Sequence, residues 1–156
     1  MLEIRRYEAA DHDAVWELHN LALNLVGAHG GNGAWDDDLH HVAQVYLEDR
    51  GEFLVGTWEG RIVAMGALRR VDAERAEIKR MRVHPDWQRR GLGRAILNAL
   101  EERALALGYR VLRLDTTTRQ EAAQAFYRRN GYAEAGRGHY GPFEVIVYEK
   151  VIAVDP

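Results

Sequence analysis

The stretch Val83-His84-Pro85-Asp86-Trp87-Gln88-Arg89-Arg90-Gly91-Leu92-Gly93-Arg94 joins two periodicities that no single element can hold. Before it, Ala76 to Val83 reads as a strand that stops at a proline turn. After it, Leu92, Ile96, Ala99, Leu100 and Ala104 recur at helical spacing until Gly108 ends the pattern. The chain must therefore run strand, short basic loop, helix, and the helix opens on a glycine pair. Its first N–H groups have no intrahelical acceptor, and the helix dipole adds positive charge there. Glycine lets a bulky anion approach such a backbone closely, so this helix start is suited to a phosphate or pyrophosphate.

Charge points the same way. From Lys79 to Arg94 there are six basic residues and one acid, a local +5 in a chain of net charge −3, which leaves −8 for the remainder. A positive island in an acidic protein implies one local anionic ligand. It argues against a surface that coats nucleic acid, as does the lack of aromatic residues interleaved for base stacking.

The loop has the form Gln-x-x-Gly-x-Gly, and here the sequence resembles the GNAT superfamily of N-acetyltransferases. The resemblance extends to Glu77-Ile78-Lys79-Arg80-Met81-Arg82-Val83 before the loop and to Ala125-Phe126-Tyr127-Arg128-Arg129-Asn130-Gly131-Tyr132 after the helix. It implies that the loop and helix, Gln88, Arg89, Arg90, Gly91, Leu92, Gly93 and Arg94, hold the pyrophosphate of acetyl-coenzyme A. An ordinary strand-to-helix connection with a solvated basic face is the plain alternative.

At 156 residues the chain suits one compact domain, expected to span 1–156. Cysteine is absent, which removes disulfides, thiolate metal sites and a cysteine nucleophile together. No window reaches the ~18 apolar residues needed to span a bilayer, and Met1 to Arg5 does not read as a signal peptide. A cytoplasmic enzyme with no membrane partner is the expectation. His12 with His19, and His40 beside His41, lack supporting ligands, so no metal is expected.

Along the chain, Leu2 to Tyr7 alternates as a strand. Asp11 is placed to cap a helix running to about Val26, with Val15, Leu18, Leu21, Leu25 and Val26 on one side. Gly27 to Gly33 reads as a loop, and Asp36 to Asp38 open a second helix through about Leu47. Phe53 to Trp58 and Arg61 to Gly66 form a hairpin about Glu59-Gly60, followed by a turn near Asp72. Arg110 to Thr116 is strand-like, Glu121 to Asn130 helical, and Tyr132 to Ala135 and Phe143 to Val151 are the last strands. Gly136 to Gly141 satisfies a dinucleotide-binding pattern letter for letter, but a strand follows where a helix is required, so it reads as a strand-to-strand turn. This order is an α/β sheet sandwich. It matches the GNAT order, which implies a mixed, mostly antiparallel central sheet flanked by helices on both faces.

Apolar parity switches between Ile78 and Met81, which predicts a β-bulge at Lys79 to Met81; a two-sided central strand would also allow it. In the family, bulged backbone here, at Met81, Arg82 and Val83, bonds the pantetheine arm and aims an N–H at the thioester carbonyl. The resemblance also sets Tyr127 beside the coenzyme sulfur as general acid. Gln120 stands where the family often has asparagine, and Glu77 stands at a position often used as base. His139 and His29 are further candidates for the base.

The resemblance also implies an acceptor pocket between Gly27–Asp38 and Arg137–Gly141. Trp35 would offer an apolar wall, Asp36, Asp37 and Asp38 negative charge for a cationic amine, and His139 a polar contact. Capping of the second helix is the competing role for the three aspartates. The expected activity is acetyl transfer to the amine of a small molecule or protein by direct attack, since the chain has neither cysteine nor serine. A coenzyme A-binding regulatory or degenerate domain is the alternative, and an interaction protein using Trp35 and Trp58 a weaker third. Acceptor identity and oligomeric state, homodimer included, stay open.

Overall fold

A computed structural model describes residues 1–25 and 32–154. Seven strands make one sheet in the order β1-β2-β3-β4-β5-β7-β6: β1 Leu2–Arg6, β2 Glu52–Trp58, β3 Arg61–Arg70, β4 Arg75–Val83, β5 Val111–Thr117, β6 Ala133–Tyr140 and β7 Phe143–Val151. Every pairing is antiparallel except β4 with β5. The helices are α1 His12–Leu25, α2 Leu92–Ala106 and α3 Glu121–Arg129.

Two cores cover the two faces. On one, Val15 and Leu18 of α1 meet Leu39, Tyr46, Phe53 and Met65. On the other, Ile96, Leu97 and Leu100 of α2 and Tyr127 of α3 join Leu68, Ile78, Leu112 and Tyr148. β2, buried almost throughout, is sandwiched between them, which accounts for the consecutive apolar residues Phe53, Leu54 and Val55.

Several expected elements differ in detail. Glu8 begins the first helical segment as a capping box, and Asp11 ends that short 3-10 turn; its carboxylate accepts from Glu8 N–H at 2.8 Å and pairs with Arg5 at 2.7 Å. The second helix is a 3-10 helix, Ala34–His40, and one π turn, Ala43–Leu47. Gly136 to Tyr140 is strand, not turn, because β6 pairs with β7 as far as Tyr140–Phe143 and only Gly141-Pro142 connects them. Leu21 turns outward, while Val26 and the loop Gly27–Gly31, with His29, lie outside the described residues.

The bulge falls where parity placed it. Met65 pairs with Arg82 and Ala67 with Lys79, so Gly66 alone faces Arg80 and Met81. Arg80 takes a left-handed φ of +59°, a conformation that costs a non-glycine residue about 1–2 kcal/mol. Gly66 is required opposite it, since a Cβ there would lie 2.6 Å from Met81 Sδ and 2.7 Å from Ile96 Cγ2.

Candidate functional site

β4 and β5 pair for only three residues, Arg75–Glu77 with Val111–Arg113. Beyond them β4 stays with β3 as far as Val83 and β5 stays with β7 as far as Thr117. The strands part, the bulge sits on one limb, and α3 rises from the end of the other. Two cavities open at the split, of about 1180 Å³ and about 240 Å³. They share Leu23, Met81, Arg82, Gln120, Ala123 and Tyr127.

The larger cavity is a groove over the start of α2. Gly91, with φ +77°, precedes the helix, and no side chain caps its first turn, so those N–H groups face the groove unsatisfied by the helix. Gln88, Arg89, Gly91, Leu92, Gly93 and Arg94 line it, joined by Thr118, Arg119 and Arg129 from the opposite side. Arg90 does not line it and instead stands over the Trp87 ring, 6.0 Å from its centroid. At the split the carbonyl of Met81 accepts from Arg82 Nη1 at 2.8 Å, and that of Val83 from Gln88 Nε2 at 3.0 Å. Gln88 thus ties the loop to the strand end. Gln120 Oε1 accepts from the Thr117 N–H at 3.0 Å, so its carbonyl braces the start of α3.

Tyr127 stands where the groove meets the smaller cleft. It is 6% exposed, and burial pushes its phenol above the ordinary range, with the positive Arg82 opposing and Asp115 reinforcing the shift. Phe126 and Tyr127 adjoin on α3 and divide the core from the opening unequally. Tyr127 joins the core and also faces the opening, while Phe126 is only partly buried and lines the groove.

The cleft gathers Glu77 and Lys79 from β4, Asp115 and Thr117 from β5, Trp35 and Asp36 from the 3-10 helix, and Tyr140 and Phe143 from the β6–β7 hairpin. Lys79 Nζ lies 3.6 Å from Glu77. Asp115 is exposed to the cleft, yet the protein packed around it raises its carboxyl above the usual range, and the Glu77 charge adds to that. Asp115, Arg119 and Tyr140 carry no motif and were not singled out by sequence. Only the strand split shows that Asp115 lies two residues past the last β4–β5 pair.

The aspartates neither cap a helix nor present three open charges. Asp38 binds Arg80 through Nε at 2.9 Å and Nη2 at 2.6 Å and accepts from the Tyr46 hydroxyl; Arg80 and Tyr46 together hold its carboxyl below the usual range despite burial. Asp36 is 3% exposed and bonds His19 Nε2 at 2.9 Å and Asn32 Nδ2 at 3.0 Å. Burial and the nearby Arg82 and Arg80 push the His19 imidazolium down to about 4. Asp37 is exposed and lines neither cavity. His139 is an exposed residue of β6 opposite Glu144, likewise outside both linings. Among the described residues no group of three or more His, Cys, Asp or Glu could hold a metal ion, and no helix is long and apolar enough to cross a membrane.

The family model for the acetyltransferase (GNAT) family matches residues 12–132. The chain belongs to the GNAT acetyltransferases. It is 38% identical over 93 residues to IAA acetyltransferase of Azospirillum brasilense, a match covering 58% of this chain and 59% of that protein. The chain thus spans less than two thirds of that relative. The fold also matches a GNAT-family acetyltransferase of Staphylococcus aureus Mu50 at a TM-score of 0.91 and 19% identity, covering 98% of this chain and all (100%) of the other. The PaiA N-acetyltransferase of Thermoplasma acidophilum, solved in complex with coenzyme A, matches at 0.79 and 16% identity, covering 97% and 99%.

Proposed function

We propose that this GNAT protein transfers an acetyl group from acetyl-coenzyme A to a primary amine by direct attack. The observation that carries the reading is the meeting of a basic, glycine-opened groove with a second cleft at one buried tyrosine. The residues present fit the coenzyme. Uncapped N–H groups of α2 suit the pyrophosphate, and Arg89, Arg94 and Arg129 supply positive charge along the groove. Backbone at Met81 to Val83 suits the pantetheine arm. Acetyl-coenzyme A supplies an activated acyl carbon on a good leaving group.

The acceptor amine enters from the cleft. An alkylammonium with a reference pKa of about 10.4 must lose a proton before it attacks. Glu77 takes that proton in this account, with Asp115 on the facing strand as its neighbour. The amine nitrogen bonds to the acyl carbon, the carbon–sulfur bond breaks, Tyr127 gives its proton to the departing sulfur, and the second proton shed by the nitrogen restores the phenol. Burial keeps the phenol protonated until then. Free-thiol release from acetyl-coenzyme A across a panel of primary amines tests the reading. Release that depends on one class of amine supports it; tight coenzyme A binding without amine-dependent release contradicts it.

A further inference from the structure

The charges around the cleft cancel in pairs until two remain. Arg80 is neutralised by Asp38 and lies 3.7 Å from Asp36, and Lys79 lies beside Glu77. Arg82 has no such partner. Its Nε is buried without a hydrogen bond, Nη1 reaches only the Met81 carbonyl, and no carboxylate pairs with it among the described residues. On the other limb of the split, Asp115 likewise has no paired cation among the described residues. Tyr127 feels both, Arg82 as a positive and Asp115 as a negative neighbour. The rim beyond them is aromatic: Trp35 is 56% exposed, Tyr140 is 55% exposed, and Phe143 lies beside them.

Resting on the acetyltransferase reading, we infer that the acceptor is an amino acid-like zwitterion whose carboxylate is held by Arg82 and whose amine is drawn toward Asp115 and Glu77. A half-buried guanidinium with no carboxylate beside it is costly until an anion arrives. A planar fork also matches a carboxylate better than a point charge does. The coenzyme's phosphates have their own donors at the start of α2, on the groove side of Tyr127. A cavity of about 240 Å³ with an aromatic mouth suits a small acceptor carrying an apolar or aromatic side group.

The experiment measures thiol release from acetyl-coenzyme A with matched acceptor pairs. Phenylalanine, tryptophan, leucine and β-alanine are each compared with their carboxamides, in the parent chain and in Arg82→Gln and Arg82→Lys. For the best pair, the parent is expected to favour the free acid in kcat/KM by about tenfold or more. That ratio should fall toward one in Arg82→Gln and be partly retained in Arg82→Lys. Because the ratio is taken within each variant, losses of fold or coenzyme affinity common to both acceptors cancel. Equal or better use of the carboxamides by the parent overturns the inference. So does a ratio unchanged in Arg82→Gln, which would give Arg82 a role toward the thioester or the fold. Release with amines lacking any carboxylate, but with none of the acids, overturns it while leaving the acetyltransferase reading intact. No release with any amine brings both down.

Discussion

The two cavities that meet at Tyr127 are built by opposite means. The groove is made mainly of two short continuous stretches, Met81 to Arg94 and Thr118 to Asn130, and on the α2 side it offers backbone: uncapped N–H groups and a left-handed Gly91. The cleft is made of side chains from the 3-10 helix, β4, β5, α3 and the β6–β7 hairpin, from Trp35 toward one end of the chain to Phe143 near the other. A site written in backbone depends on glycines at fixed spacing and tolerates change around them. A site written in side chains can be retuned position by position. In this chain the first suits a constant cosubstrate and the second a particular acceptor.

Tyr127 is where that comparison is easiest to break. Tyr127→Phe keeps the ring in the core and deletes the proton donor. Turnover is expected to fall by about 10² to 10⁴, with coenzyme A affinity changed less than about twofold. Steady-state kinetics and calorimetry on the same preparation check it. Turnover within about twofold of the parent would make the tyrosine a packing residue and leave the two cavities chemically unconnected.

The bulge that both cavities use is clamped from the acceptor side. Arg80→Met removes the fork from Asp38 and leaves two largely buried carboxylates, Asp36 and Asp38, uncompensated. A loss of about 3 kcal/mol or more is expected, read as a lowered denaturation midpoint. Asp37→Asn, at an exposed site outside both linings, should leave stability within about 0.5 kcal/mol. Equal effects of the two would show that the clamp does not hold.

The smallest effect concerns pH. His19 is held neutral down to about 4, whereas the unfolded imidazole takes its proton near its ordinary value of 6.5. The unfolded chain therefore binds more protons between those values, and stability is expected to fall as pH drops from about 6.5 toward 4. Asp38, with its lowered carboxyl, continues the loss at still lower pH. Midpoints recorded across this range should show a shallower fall in His19→Gln. An unchanged slope would place the acid sensitivity elsewhere.

The groove is legible in the sequence and the cleft largely is not, for one physical reason. Glycines, a proline and a parity switch act over a few residues, so the Arg80–Met81 bulge and the start of α2 could be located from local pattern alone. Asp38 and Arg80 lie 42 positions apart, and nothing local says that one consumes the other's charge. Local charge therefore made Asp36 to Asp38 look like an open anionic patch. His19 lacks metal-ligand spacing, yet it falls four residues after Val15 on the inner face of α1, which is the available clue to its burial. Gly136 to Gly141 reads as a turn because three glycines interrupt it, yet pairing with β7 makes Gly136 to Tyr140 part of an edge strand. Asp115 has no local signal at all; only the divergence of β4 from β5 gives it a role.

If the glycine-opened groove holds the cosubstrate, a side chain at Gly93 must weaken its binding. A Cβ at Gly93 meets only ordinary contacts, 3.6 Å to Val83 Cγ2 and 3.7 Å to Phe126 Cζ, so a larger side chain there is expected to fold and to project into the groove. Coenzyme A titrated calorimetrically into the parent and into folded Gly93→Val should bind the parent at one site and the variant at least about tenfold more weakly, roughly 1.4 kcal/mol. Equal affinity in the two proteins would contradict the account.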